Sequence, residues 1–304
     1  MSNTIKYIFT TFAMFFCLID AASAVERMKP FVLAYKANGN EAQVVEEVKN
    51  KLVAAKFEIV GTYTPYAGAN VIIITNDELK MAAAKSEYGG YGAAQRVTVT
   101  QVENELQVSY SNPTYLEAAY HMNAPEEMAR VKASLASVLG SELEFGMKKG
   151  MTAKKLKKYH YMFGMEYFDE PSELAEYESY EVAISTLVAG LNKGLGGVKQ
   201  VYRVDIPGKQ QTVFGVSINP DGDEDCQSDE FIMSEIDFRP LRSTAHLPYE
   251  ILVDGGEIFA LYARFRIAIN FPNLAMMGSN SFMNIMCAPG AIEDALTTAA
   301  GGKS

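Results

Sequence analysis

The chain has 304 residues and a formal net charge of −10, with 48% hydrophobic residues and three cysteines. So acidic a surface repels phosphate backbones, which bind through Lys and Arg with release of counterions, and this excludes nucleic acid as a natural partner. The length suffices for one large or two ordinary domains, and three cysteines are too few for a scaffold stapled by disulfides.

In chain order, Lys6 gives a short positive region. The apolar run Ile8 to Ile19 follows, then Ala22-Ser23-Ala24, the small-residue pattern at which a signal peptidase cuts. Residues 1–24 therefore read as a secretory signal peptide, and the mature chain as periplasmic or otherwise secreted. The apolar run is shorter than the ~20 residues of a membrane-spanning helix, and Asp20 ends it, so no stable membrane anchor is expected. Cys17 falls in the discarded segment.

A first lobe is expected over 25–140. It begins with a strand at FVLAY from Phe31 and a helix from Glu41 to Ala55 with Val44, Val45, Val48 and Leu52 on one face. A strand from Phe57 and the run Val71 to Ile74 follow; the latter is apolar on both faces and so interior to a sheet. A helix near Asp77 to Lys85 leads to Gly89-Gly90-Tyr91-Gly92. This segment follows a helix, not a strand, so it reads as a flexible connection and not a phosphate-binding loop. A hairpin, Arg96 to Val102 and Glu105 to Ser111, turns at Glu103-Asn104. The last helix opens at Pro125 and stops at Gly140.

A basic connector, 141–158, carries Lys148, Lys149, Lys154, Lys155, Lys157 and Lys158. It reads as a solvated linker face or a contact with anionic lipid or an acidic partner. A second lobe, 159–304, then repeats the order. Its expected elements are a strand YHYMFGMEYF, a helix from Tyr180 to Asn192, strands near 198–206 and 212–218, a helix near Asp229, a hairpin turning at Asp254-Gly255-Gly256, and a final helix after Pro289. The expected fold class is α+β: two similar lobes, each an antiparallel sheet packed against helices, related by internal duplication.

Within this frame ENELQVSYSNPTYLEAAYHM resembles the second hairpin strand and following turn of the family named domain of unknown function 302. AHLPYEILV and FMNIMCAPGAIEDAL resemble it in the second half. The resemblance implies compact α+β lobes that associate as dimers, so a homodimer is expected, and it implies no activity. The first copy has Arg96-Val97 where the family has Leu-Pro, retained here as Leu247-Pro248, and Arg264 stands about where the first copy has Asn112.

Read as the second hairpin strand, residues 261–270 alternate, with Tyr262, Arg264 and Arg266 on one face. With Arg242 and His246 nearby in sequence, and Asn112 in the other copy, these residues form a candidate site for a small anionic ligand held by forked hydrogen bonds. The competing reading is a solvated or dimer-facing surface paired with Glu235 and Asp237.

Ser243, His246 and Asp237 invite a hydrolase reading, but without a nucleophile elbow His246 reads as structural. Cys287, just before the last helix, is a candidate reactive thiol or a buried small residue, with a bridge to Cys226 left open. His160, Met162 and Met165 are soft donors suited to copper, although odd spacing in a strand would point the two methionines apart. Asp221, Asp223 and Asp225 imitate a calcium loop, but Cys226 replaces its glycine and Ile232 its glutamate.

The expected function is a non-enzymatic exported binding or assembly protein for a small anionic ligand or a protein partner, without a cofactor. The alternatives are a periplasmic copper- or thiol-handling protein and a hydrolase.

Overall fold

The computed structural model describes residues 26–220 and 226–303. The signal-peptide reading of 1–24 and the acidic triad at 221–225 lie outside these residues.

In the first lobe β1 (Phe31–Ala37), α1 (Glu41–Ala54), β2 (Glu58–Tyr63), β3 (Ala69–Thr75) and α2 (Asp77–Ala83) precede the hairpin β4 (Gln95–Val102) and β5 (Glu105–Ser111). Helices α3 (Pro113–Ala119) and α4 (Pro125–Leu139) follow. Local chemistry sets these limits. The Asn40 side chain caps α1 by accepting from Gln43 N, and Asn76 caps α2 by accepting from Leu79 N. Gly140, at φ +100°, ends α4. The residues expected to line α1, Val44, Val45, Val48 and Leu52, are its buried face.

The connector is more structured than a linker. Strand β6 (Leu143–Phe145) pairs with β1, and α5 (Ala153–Leu156) packs on α3.

The second lobe comprises β7 (Ser172–Glu176), α6 (Tyr180–Lys193), β8 (Val198–Asp205), β9 (Gln211–Ile218), α7 (Asp229–Ile236), β10 (Tyr249–Asp254), β11 (Glu257–Ala260), α8 (Ala263–Asn270) and α9 (Ala288–Ala300). The first sheet runs β2-β3-β4-β5-β1-β6 and the second β8-β9-β10-β11-β7, every pair antiparallel. Apart from β6, the two lobes share one strand order and one sequence order of helices.

Two of the expected strands are corrected. Residues 159–168 form an irregular loop, because Gly164 at φ +79° and a turn from Met162 O to Met165 N break any strand; the equivalent of β1 is β7. Residues 263–270 are helix, not strand. The hairpin register ends at Ala260, and almost every residue beyond it is buried, so the alternation in sequence is not an alternation of environment.

One face of each sheet carries its own helices and the other meets the opposite lobe. Gly61 in β2 lies so close to β8 that a Cβ there would sit 2.4 Å from Val201 O. The segment 89–92 is a buried 3-10 turn and not a flexible connection: a Cβ on Gly90 would meet Leu252 Cδ1 at 2.5 Å. Tyr202, Val204, Val213 and Leu252 of the second lobe join the core of the first.

Candidate functional site

Helix α8 decides where the candidate arginines go. Successive alternate residues on a helix are about 200° apart, so Arg264 and Arg266, two positions apart, point to opposite sides. Arg266 turns inward and is 1% exposed. Its guanidinium donates to His246 O at 2.7 Å and to Pro248 O, stands 3.1 Å from Glu250, and lies over the Tyr249 ring. Arg96, from the first lobe, is an ion partner of the same Glu250. Both contacts to Glu250 are ion pairs between buried groups. Two buried guanidiniums thus share one buried carboxylate across the lobe interface, an arrangement stabilised only while all three remain.

His246 is fully buried beside this cluster. Its Nδ1 meets Asn270 Nδ2 at 2.9 Å and its Nε2 meets the Tyr249 hydroxyl at 3.2 Å. Burial, with Arg266 and Arg96 nearby, holds its pKa well below the usual imidazole value. Both ring nitrogens face partners other than Ser243, whose backbone N–H donates to both Asp237 carboxylate oxygens at 2.8 and 2.9 Å. The contacts of a Ser-His-Asp triad are not made.

The expected ligand residues therefore do not converge. Asn112 is buried at the start of α3, donating to Lys29 O at 2.8 Å. Arg242 donates to Asp237 O and lines an open groove with Tyr66, Thr100 and Phe238. Tyr262 precedes α8, its ring beneath the Arg264 guanidinium at 5.6 Å. Cys287 is bridged to Cys226, Cα atoms 6.0 Å apart, which corrects the free-thiol expectation.

What does converge is a pocket on the outer side of α8. Arg264 lines it together with Ile267 and Ala268 of the helix, Met162 and Met165 of the preceding loop, and Met276 and Phe282 of the segment that follows. Its enclosed volume is small, about 80 Å³, below the size of a drug-sized ligand site, so it can hold only part of a ligand, the rest lying at the open mouth. The loop is held in place at both ends: Tyr159 donates to Ala268 O at 2.9 Å, and Phe168 stacks on Tyr120 with centroids 5.2 Å apart. Because this segment is a loop, Met162 and Met165 face the same space, contrary to the strand expectation. Arg264 is the sole charged residue of the lining, and Glu166 neutralises it through a forked contact. The Tyr161 hydroxyl contacts Met276 Sδ, and His160 Nδ1 is turned to Met162 O at 2.8 Å.

Among the described residues no group of three or more His, Cys, Asp or Glu is placed to hold a metal; thioethers are a separate donor class. No described helix is long and apolar enough to cross a membrane. No family model, no curated protein and no solved structure matches the chain.

Tyr161, Phe271, Leu274 and Phe282 were invisible to sequence reasoning as pocket residues, whereas Met276 stands in a dense methionine group with Met277, Met283 and Met286. The signal available was the uncharged stretch from Ile267 to Ile292, rich in Met and Phe.

Proposed function

We propose that this is an exported, non-enzymatic binding protein whose site is the methionine-lined pocket beside α8, and that its ligand is a small, mainly apolar molecule with an anionic end. One observation carries the reading: an apolar pocket whose single lining charge is Arg264. Flexible thioethers adapt to irregular apolar shapes. An anionic group at the mouth competes with Glu166 for the guanidinium fork, a geometry suited to carboxylate or sulfonate. The Cys226–Cys287 bridge supports export, since structural disulfides persist in oxidising compartments, as does the leader-like sequence of residues 1–24. The matching strand orders support an origin by duplication.

The test is fluorescence titration with 1-anilinonaphthalene-8-sulfonate, an apolar body with one anionic group. Saturable binding by the folded protein, abolished in Ala268→Phe and weakened in Arg264→Gln, is the expected result. Equal binding by wild type and Ala268→Phe sinks the assignment.

The convergence of Met162, Met165 and Met276 favours a second reading, capture of Cu(I) by three thioethers. It requires one Cu(I) per chain, held against a competing chelator and lost in Met165→Leu.

A further inference from the structure

The basic connector and the methionine-rich segment meet on one side of the second lobe. Lys148 N donates to Asn273 Oδ1 at 2.7 Å and the Tyr159 hydroxyl to Ala268 O at 2.9 Å. The lysine run is thereby fixed at both ends against the chain around and after α8.

Charge is sharply segregated there. From Phe145 to Met165 the sequence has six lysines and no Asp or Glu; from Ile267 to Ile292 it has no charged residue. All six lysines are exposed. In the segments that follow in sequence, Phe163 is 99% exposed, Met277 73% and Met283 53%. Phe163 sits at a loop tip next to Gly164, around which nothing lies within 4 Å. Met277 and Met283 share a turn closed by Met283 N to Met276 O at 3.1 Å. Of the acids in the adjoining loop, Glu166 is paired with Arg264, while Asp169 and Glu170 are exposed, Glu170 accepting from Tyr167 N.

We propose that this face docks the protein reversibly on an anionic phospholipid surface. Phe163 and Met277 enter the boundary between headgroups and acyl chains, and the lysines face the lipid phosphates. Projecting apolar tips rimmed by cations are the composition of an interfacial membrane contact. Each lysine near an anionic leaflet adds attraction that a chain of net charge −10 otherwise lacks. The complementarity is local, and it is independent of whether the pocket holds a ligand.

Co-sedimentation of the mature chain with vesicles tests this. Phosphatidylcholine vesicles containing phosphatidylglycerol should bind the protein at least roughly tenfold more tightly than phosphatidylcholine alone, and raised salt should erase the difference. Phe163→Ser should weaken binding by about tenfold. Replacing Lys154, Lys155, Lys157 and Lys158 together by Gln should weaken it at least as much. These side chains are exposed, so circular dichroism and dye binding in the pocket should match wild type. No sedimentation with either vesicle, equal binding to both, or variants that bind like wild type overturns the proposal. So does a protein that ignores vesicles but forms a dimer lost in Phe163→Ser, which would assign the face to a second copy of the chain.

Discussion

Arg96, Glu250 and Arg266 show what single residues impose on this fold. Each is at most 3% exposed, and their charges are meaningful only across the lobe interface, because Arg96 comes from β4 and the other two from β10 and α8. The hint in sequence was a charge inside an otherwise apolar strand; which residue answered it depended on long-range packing. Nearby titrating groups give a pH prediction. Burial raises Asp229 and Asp237 from 3.8 to about 7 in the folded state. A raised carboxylate favours folding when protonated, so this contribution is full below about pH 3.8 and is lost as pH rises through about 7. His246 acts oppositely: its depressed pKa favours folding above 6.5 and costs stability as pH falls below that value. Between 6.5 and about 7.5 the two aspartates outweigh the closing part of the His246 titration, so thermal stability should fall across that interval. Asp237→Asn still accepts from Ser243 N and should make the fall shallower. Melting curves at stepped pH decide this; a steeper fall in the variant contradicts the assignment.

Elements were legible where one pattern dominated. Helix α1, the hairpin of β4 and β5, and the stop at Gly140 follow from caps, periodicity and turn residues. Helix α8 was misread because a buried helix and a strand can share an alternating sequence. The loop at 159–168 was misread because aromatic and methionine residues suit both a strand and a pocket wall. The close approach of β2 to β8 yields a prediction at this scale. Gly61→Ala places a Cβ against backbone and should cost about 1–3 kcal/mol, whereas Gly290→Ala, on an exposed turn of α9 with nothing within 4 Å, should be neutral or stabilising. Urea midpoints of the two variants measure the contrast. Equal midpoints would show that the two strands can separate without cost.

At the scale of the whole molecule, two sheets of the same strand order pack face to face, and each lobe lends its 3-10 turn before the fourth strand to the other. Residues 89–92 reach β9 and β10, while 244–246 reach β3, β4 and β5. The repeated element order was readable because each lobe's periodicity is local. The interface was not, since it depends on which sheet face is left uncovered. The pocket escaped for the same reason: its wall comes from a loop, a helix and a later segment. Its role as a binding site is tested most directly by NMR of protein labelled at the methionine methyl groups, titrated with the naphthalene sulfonate dye. The account predicts that Met162, Met165 and Met276 shift together and saturate, while buried Met28 and Met128 stay in place. Shifts confined to other methionines, or none at saturating dye, would contradict it.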